Sequence, residues 1–400
     1  MDAKGFALRR LIDRVKEARH SEAALDIRGG GTKSFYGNAA RGDALDIREL
    51  SGITSYEPTE LVVTVLAGTP LAELEAALAD RGQCLPFEPP RFGMGPVGGG
   101  AVGAVGGTVS SAVSGAAGAV GGTVSSAVSG AAGGTVGGMV AAGLAGPARA
   151  SSGPLRDFVL GVTMLNGMGE ALTFGGQVMK NVAGYDVSRV MAGSMGILGV
   201  ICEVSLKVMP VLPACRTLCF DILEAPALEQ LNRWAGDTLP MTASSWYQGR
   251  LFVRAAGAKA AVARVHERLG GREIEPQAAA SWWSDIRDHC HPFFVLTDTE
   301  LKRGECLWRL SVPDTAPPIS LPGEQFIEWG GAQRWLRSTA PASQIRSAAA
   351  GGHATLVRAA DKSPGAFTTL TSPLMSVHKR LKNAFDPAGI FNPGRLYPEL

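Results

Sequence analysis

The chain has 400 residues and a net charge of +2, from 38 lysines and arginines against 36 aspartates and glutamates. This balance provides no basic patch for neutralising the phosphates of a nucleic acid, and the length allows two or three domains. Its 52 glycines are about twice the usual share of roughly 7%. They follow no three-residue period, which excludes collagen, and the uncharged segment 92–148 is too weakly apolar for a transmembrane helix.

The cysteines and the N-terminus indicate the compartment. None of the six cysteines forms a Cys-x-x-Cys pair, so we predict no zinc ribbon, no iron–sulfur cluster and no metal site. Scattered cysteines are typical of reduced thiols in the cytoplasm. Residues 1–20 have no apolar h-region, so we expect no signal peptide, and membrane attachment only through a partner.

The first half of the chain mixes short strands with helices. Apolar spacing predicts helices at 4–19, about 70–81 and 187–192. Thr69 is the expected N-cap of the second helix, with Pro70 in its first turn. Strands are predicted at 24–27, 43–47, 61–67, 158–165, 170–174 and 199–209.

A tandem repeat accounts for much of the glycine excess. Residues 103–117 read GAVGGTVSSAVSGAA, residues 118–132 repeat them letter for letter, and a divergent third copy follows at 133–146. A solenoid is excluded because the unit has no large apolar side chain with which to build a core. We interpret about 97–132 as a duplicated, passive loop insertion without chemistry of its own.

The second half changes character at about residue 213. A βαββα order is predicted over 215–269, with further strands at 306–312, 325–328 and 354–358 and a basic helix at 375–385. This order favours an open antiparallel sheet with helices on one face.

Two glycine-rich segments could approach a ligand closely. Arg28-Gly-Gly-Gly-Thr32 follows a strand, and three glycines allow consecutive N–H groups to form an anion-binding nest. A plain tight turn is the alternative, since neither a Walker A nor a Rossmann pattern is present. Gly134 to Gly138 is a second such loop, for which a spacer is the alternative.

The histidines give a weaker signal. His289 and His291 are two residues apart but lack a third metal ligand, so an ordinary loop is expected there. His378 lies on the basic helix and is expected on its solvated face.

The order of these motifs resembles the FAD-linked oxidases of the vanillyl-alcohol oxidase (PCMH) type. The motifs are RGGGT at 28–32, YEP at 56–58, LPFEPP at 85–90, TVGG at 135–138, KNVAGYD at 180–186, GSMGILG at 193–199 and FDPAGIFNPGR at 385–395. Within that family, LPFEPP, GGQVMKNVAGYDVSRVMAG and FDPAGIFNPGRL are similar to the FAD-binding E subunits of bacterial glycolate oxidases. The resemblance is strong over about 20–96, 133–212 and the C-terminal tail, and weak over 213–370.

The resemblance implies an α+β fold. It comprises a two-part PCMH-type FAD-binding domain at 1–212, an α+β cap domain with an antiparallel sheet at 213–370, and a tail at 371–400 that returns to the flavin.

The resemblance also implies the cofactor-binding residues. Backbone N–H groups of Arg28, Gly29, Gly30, Gly31 and Thr32 would hold the pyrophosphate of FAD. The flavin would be lined by Pro89, Pro90, Thr135, Gly137 and Gly138. The adenosine side would be held by Gly193, Gly196, Gly199 and Ile201, and the isoalloxazine approached by Asn392 and Arg395. The remaining cofactor-binding residues implied are Lys180, Asn181, Gly184, Tyr185 and Asp186.

The function implied is that of one subunit in a glycolate-oxidising hetero-oligomer. Electrons from a small 2-hydroxy acid would pass through FAD to an iron–sulfur subunit, beside a homologous FAD-binding catalytic subunit. Related catalytic subunits carry a His-x-Gly-Asp-Gly-Asn-x-His motif that is absent here, and Gly143 to Gly146 replaces their Asn-Ala-Gly-Gly. The catalytic residues are therefore not assigned, and two alternatives stay open: a flavin-carrying relay or structural subunit, and a stand-alone oxidase.

Overall fold

The computed structural model describes residues 3–93, 133–176, 185–349 and 351–400. The helices in this part of the chain are α1 Ala3–Ser21, α2 Leu71–Ala79, α3 Val136–Ala142, α4 Arg149–Ser152, α5 Tyr185–Val190, α6 Glu224–Ala235, α7 Lys259–Leu269, α8 Pro276–Asp288, α9 Asp298–Lys302, α10 Ala342–Ala348 and α11 Ser372–Phe385. The strands of the first half are β1 Leu25–Arg28, β2 Asp43–Asp46, β3 Ile53–Glu57, β4 Val62–Leu66, β5 Gln83–Cys84, β6 Val159–Leu165, β7 Ala171–Gly175, β8 Val200–Lys207 and β9 Met209–Pro210. Those of the second half are β10 Ala214–Asp221, β11 Met241–Tyr247, β12 Arg250–Gly257, β13 Arg272–Glu273, β14 Cys306–Ser311, β15 Glu324–Glu328, β16 Gln333–Ser338 and β17 His353–Arg358.

A five-stranded antiparallel sheet supports the first half. Its strand order is β3-β4-β8-β6-β7, and β4 is buried along its whole length, which confirms the prediction of a buried β-branched strand. Helices α1, α2 and α3 cover the sheet with apolar side chains such as Val15, Leu74 and Val140. Phe391 from the C-terminal tail joins the same core and forms a parallel bridge with Leu25 of β1. The tail thus lies against the strand that precedes the RGGGT loop.

Two local predictions in this half were wrong. Thr69 does not cap α2, because its hydroxyl accepts a hydrogen bond from the N–H of Gly52 at 2.8 Å and the N-cap position falls to Pro70. The segment 134–138 is also not all loop, since α3 begins at Val136. Thr135 is the N-cap of α3, and its hydroxyl accepts from the N–H of Gly138 at 3.2 Å. This cap permits a helix despite the neighbouring glycines.

The second half forms one eight-stranded antiparallel sheet, in the order β13-β10-β12-β11-β15-β16-β14-β17. Leu218 of β10 packs with Val265 of α7, whereas the adjacent Thr217 accepts a hydrogen bond from the indole N–H of Trp283 in α8 at 3.0 Å. Consecutive strand residues point to opposite faces, so α7 and α8 lie on opposite faces of the sheet. The two helices of the predicted βαββα order, α6 and α7, pack on the same face of the sheet, through alternate residues of β12. The expectation of helices on one face is confirmed for these two, and α8, which was not predicted, covers the other face.

The face that carries α8 also packs against the first half. Tyr36, Phe92 and Met195 share one apolar cluster with Phe326 and Trp335 of the large sheet. Arg254 forms an ion pair with Glu88 at 2.9 Å across the same boundary. The division of the chain into domains at residues 212 and 370 stays a prediction. Among the described helices, none combines the length and apolarity needed to cross a bilayer.

Candidate functional site

The two glycine-rich segments meet at the end of β1. A Cβ on Gly29 would lie 2.2 Å from the hydroxyl oxygen of Thr135, and one on Gly30 would lie 3.2 Å from the Cα of Gly134. The RGGGT loop therefore packs backbone to backbone against residues 134–135. Gly31 has φ = +70°, a conformation that glycine adopts at little cost.

Several consecutive backbone N–H groups of the RGGGT loop lack a hydrogen-bond acceptor among the described residues. A turn does occur here, because the N–H of Ser34 donates to the carbonyl of Gly31 at 3.1 Å. The N–H groups of residues 29–33, however, donate to no acceptor in the described part of the chain. Consecutive unpaired N–H groups in a loop form the kind of concavity that binds anions.

Two adjoining cavities begin at this loop, with volumes of about 330 and 60 Å³. They share Gly29, Met195 and Asn392 among their lining residues. The structure brings thirteen of the predicted cofactor-binding residues to their walls: Arg28, Gly29, Gly30, Gly31, Thr32, Thr135, Gly137, Gly138, Gly196, Gly199, Ile201, Asn392 and Arg395. Their individual roles toward a cofactor stay predictions.

Asn392 connects the segments around the smaller cavity. Its side-chain amide accepts from the N–H of Ile27 at 2.8 Å and donates to the carbonyl of Met195 at 2.6 Å. A Cβ on the neighbouring Gly196 would lie 2.6 Å from this amide nitrogen. Asn392 thus fixes the end of β1 against residues 195–196.

Arg395 has a similar connecting position at the larger cavity. Its guanidinium donates to the carbonyls of Asn38, Ser34 at 3.0 Å and Lys33 at 3.4 Å. Burial lowers the pKa of this guanidinium. Both tail residues therefore use their described hydrogen bonds to hold the protein backbone, and their approach to an isoalloxazine ring stays a prediction.

The other predicted residues lie away from the two cavities or outside the described chain. Pro89 and Pro90 are buried but line neither cavity. Gly193 donates its N–H to the carbonyl of Val140 at 2.9 Å. Tyr185 and Asp186 begin α5, where Asp186 is exposed and lines neither cavity. Lys180, Asn181 and Gly184 lie outside the described residues.

Lys33 is a site residue that the sequence interpretation missed. Its side chain lines the larger cavity, and its ammonium nitrogen is buried with no hydrogen-bond partner in the described part of the chain. The ammonium lies 5.7 Å from the ring centroid of Phe92. Burial lowers the pKa of Lys33 to about 8. Its only signal in the sequence is its position directly after the RGGGT motif.

The large sheet presents two arginines to the same region. Arg309 of β14 donates to the hydroxyl of Tyr36 at 2.9 Å. The guanidinium of Arg358, from β17, lies 3.9 Å from the ring centroid of Phe35, and its Nε is buried without a hydrogen-bond partner. Neither arginine forms an ion pair with a carboxylate of the described residues. Both arginines therefore lie at the boundary between the two halves, against residues 35–36, and guanidinium groups suit carboxylates.

The histidines of the 289–291 segment do not act together. His289 stacks on Phe294 with ring centroids 4.5 Å apart, and burial lowers its pKa to about 3, so its ring is neutral. His291 accepts a hydrogen bond from the N–H of Phe293 at 3.2 Å. Across the described ranges, no group of three histidine, cysteine, aspartate or glutamate side chains could share a metal ion.

A further cavity of about 340 Å³ lies between α8 and strands β10 and β12. Its charged lining includes two ion pairs, Arg254 with Glu88 and Arg216 with Glu273, each at 2.9 Å. Because these charges satisfy one another, the cavity gives less support to a ligand site than the one beside Lys33.

Comparisons with known proteins identify relatives of this chain. Residues 9–122 match the family described as FAD binding domain. The chain is 42% identical over 392 residues to glycolate oxidase subunit GlcE of Escherichia coli (strain K12), which covers 98% of this chain and 97% of that protein. A shorter match is to glycolate oxidase subunit GlcD of Bacillus subtilis (strain 168), 31% identical over 121 residues, or 30% of this chain and 26% of that protein.

Solved structures support the same fold. The structure of this chain aligns with that of alkyldihydroxyacetonephosphate synthase at a TM-score of 0.57 and 14% identity, over 96% of this chain and 74% of that chain. This likeness concerns the fold alone. It confirms the predicted α+β architecture of a PCMH-type FAD-binding domain with a cap that contains an antiparallel sheet.

Proposed function

This chain belongs to the family of glycolate oxidase subunit GlcE, and we propose on that basis that it is the FAD-binding subunit of a glycolate-oxidising complex. Electrons from a 2-hydroxy acid pass through its FAD to an iron–sulfur partner subunit, with a homologous FAD-binding catalytic subunit in the same assembly. The observation that carries this proposal is the 42% identity over nearly the full length of both chains.

The residues around the RGGGT loop fit FAD. The open N–H groups of residues 29–33 suit a diphosphate, and Gly29 and Gly30 keep the loop free of side chains where it meets residues 134–135. Asn392 and Arg395 hold the loop in place from the tail. When bound, FAD supplies an acceptor for two electrons that can release them singly. Binding the cofactor and fixing its position are the tasks of this chain's own residues.

Two arginines of the large sheet support a binding site for the carboxylate of the substrate. Arg309 and Arg358 face residues 35–36, next to the RGGGT loop, and lack carboxylate partners in the described part of the chain. A 2-hydroxy acid carries one carboxylate, which a guanidinium group binds with charge-assisted hydrogen bonds. In this proposal the pair orients the acid at the boundary between the cap and the FAD-binding half.

The proposal of an iron–sulfur partner subunit follows from the spacing of the cysteines in this sequence. An iron–sulfur cluster needs several thiolate ligands, and this chain has no Cys-x-x-Cys pair. The proposal therefore places the cluster on a separate subunit, and any contact with the inner membrane passes through such a partner. The chain itself is assigned to the cytoplasm.

Reduction of the isolated, FAD-loaded chain tests the proposal. Glycolate added without oxygen should bleach the flavin absorbance of the wild-type chain, and Arg309→Met should slow bleaching at least tenfold at equal flavin content. Exposed Lys302 provides a control variant, Lys302→Met, which should bleach like the wild type. Failure of the folded chain to take up FAD contradicts the proposal. Oxygen consumption without partners would instead identify a stand-alone oxidase.

A relay subunit without a substrate site is the second candidate. It is favoured by the lining of the two cavities at the RGGGT loop, where the titratable side chains are Asp26, Arg28, Lys33 and Arg395. None of these described residues is a neutral histidine that could accept the proton of a hydroxyl group. An FAD-loaded chain that glycolate does not bleach, but that a homologous subunit reduces, supports this candidate.

A further inference from the structure

We propose that the ammonium group of Lys33, together with the backbone N–H groups of residues 29–33, binds the diphosphate of FAD. The inference rests on the proposed FAD-binding function and adds a residue that neither the motif nor the comparisons assign. Lys33 then provides the positive charge that the neutral N–H groups of the loop lack.

The charged group of Lys33 is buried. Its ammonium nitrogen has no hydrogen-bond partner among the described residues. A buried, unpaired charge destabilises a folded protein, so such groups are normally paired or bind a ligand. An anion in the adjoining cavity would supply the missing partner.

Comparison with Lys362 shows that burial by itself does not leave a lysine ammonium unpaired in this protein. The ammonium of Lys362 is also buried, and burial together with nearby arginines lowers its pKa to about 8. It nevertheless donates to the carbonyls of Phe35, Gly37 and Val357, the last two at 3.0 Å. Lys362 is therefore satisfied within the protein, whereas Lys33 is not.

The ammonium of Lys33 and the hydroxyl of Thr32 lie on the same side of Gly134. A Cβ on Gly134 would lie 3.0 Å from the Lys33 nitrogen and 2.6 Å from the hydroxyl oxygen of Thr32. Gly134 thus leaves open the space in front of both polar groups. The cavity that Lys33 lines is also lined by residues 28–32, so one anion could reach the ammonium and the N–H groups of the loop together.

The other charged groups of this cavity each have a partner within the protein. Arg28 donates to Asp26, and Arg395 donates to backbone carbonyls of residues 33, 34 and 38. No charged side chain contributes to the lowered pKa of Lys33, which results from burial alone. Lys33 is thus the buried cation of this cavity whose charged group has no hydrogen-bond partner among the described residues.

Binding of FAD and of riboflavin to the full-length apoprotein tests the inference. Riboflavin has the same isoalloxazine ring but no phosphate. Lys33→Met should weaken FAD binding roughly tenfold to a hundredfold and leave riboflavin binding unchanged, because a charge-assisted contact is lost only for FAD. Lys33→Arg should recover part of the FAD affinity, and Lys302→Met serves as the exposed control.

The stability of the apoprotein provides a second measurement. Lys33→Met should be at least as stable as the wild type without FAD, since it removes an unpaired buried charge. A marked loss of apoprotein stability would show that the ammonium serves the protein, and would overturn the inference. Equal losses for FAD and riboflavin would place the ammonium at the ring and also overturn it. Unchanged FAD binding in Lys33→Met refutes this inference alone, whereas absence of FAD binding by the wild type refutes the proposed function as well.

Discussion

The buried pair of Lys382 and Asp386 should be essential for holding the C-terminal tail in place. The Lys382 ammonium donates to the Asp386 carboxylate at 2.7 Å, and to the carbonyls of Ile197 at 2.7 Å and Phe391 at 2.8 Å. Asp386 also accepts from the N–H of Phe391 at 2.8 Å, and its side chain is fully buried. This pair therefore joins α11, the 195–199 segment and the residue before Asn392.

The expected magnitude follows from these contacts. Lys382→Met removes all three donors and leaves the Asp386 carboxylate buried without its cation. Breaking one side of a buried ion pair typically costs about 3–5 kcal/mol. The double variant Lys382→Met/Asp386→Leu removes both charges, so it should lose at least about 1 kcal/mol less than the sum of the single changes.

Urea unfolding followed by circular dichroism measures these differences in the free energy of unfolding. Lys379→Met is the matched control, because Lys379 is exposed on the same helix and should change stability by less than about 0.5 kcal/mol. FAD affinity should fall with Lys382→Met, since Asn392 then loses its support. A loss below about 1 kcal/mol in Lys382→Met, or strict additivity in the double variant, would refute this reasoning.

Three further predictions concern other parts of the chain. Gly29→Ala places a methyl group 2.2 Å from the Thr135 hydroxyl, so FAD binding should weaken at least about tenfold in a fluorescence titration, unlike Gly236→Ala, whose Cβ meets nothing closer than 3.6 Å. Burial raises the pKa of Glu328 to about 7, so the folded state holds its proton more tightly than the unfolded state and stability falls as pH rises from about 4.5 to about 7. Glu328→Gln should flatten this part of the pH dependence, by about 3 kcal/mol at most, in melting experiments between about pH 5 and about pH 8; an unchanged slope would contradict the assignment. Deletion of 97–132 should leave FAD binding intact, and loss of flavin would show that the repeat takes part.

Local sequence patterns predicted the strands that have a clear apolar or β-branched pattern of their own. The β-branched run predicted at 61–67 became β4 Val62–Leu66, and the first strand of the βαββα order predicted over 215–269 became β10 Ala214–Asp221. By contrast, β16 Gln333–Ser338 was not predicted, because its sequence QRWLRS shows no clear apolar alternation. Its position between β14 and β15, with even Arg334 buried, comes from neighbours in the sheet.

The same distinction applies to the candidate site. Three glycines after a strand predicted an anion-binding loop, since a bare backbone is a property of the residues themselves. The pairing of Asn392 with Ile27 joins positions 365 residues apart, and no local pattern encodes it.

The sequence by itself therefore determined the glycine loop, the order of the motifs and the family that this order resembles. Only the tertiary structure decided that Asn392 joins Ile27, that α8 lies on the face of the large sheet that packs against the first half, and that the Lys33 ammonium is buried without a partner among the described residues. The physical reason is that burial and hydrogen-bond partners depend on segments far away in the chain. Conformational freedom of the backbone, in contrast, depends on the residue alone.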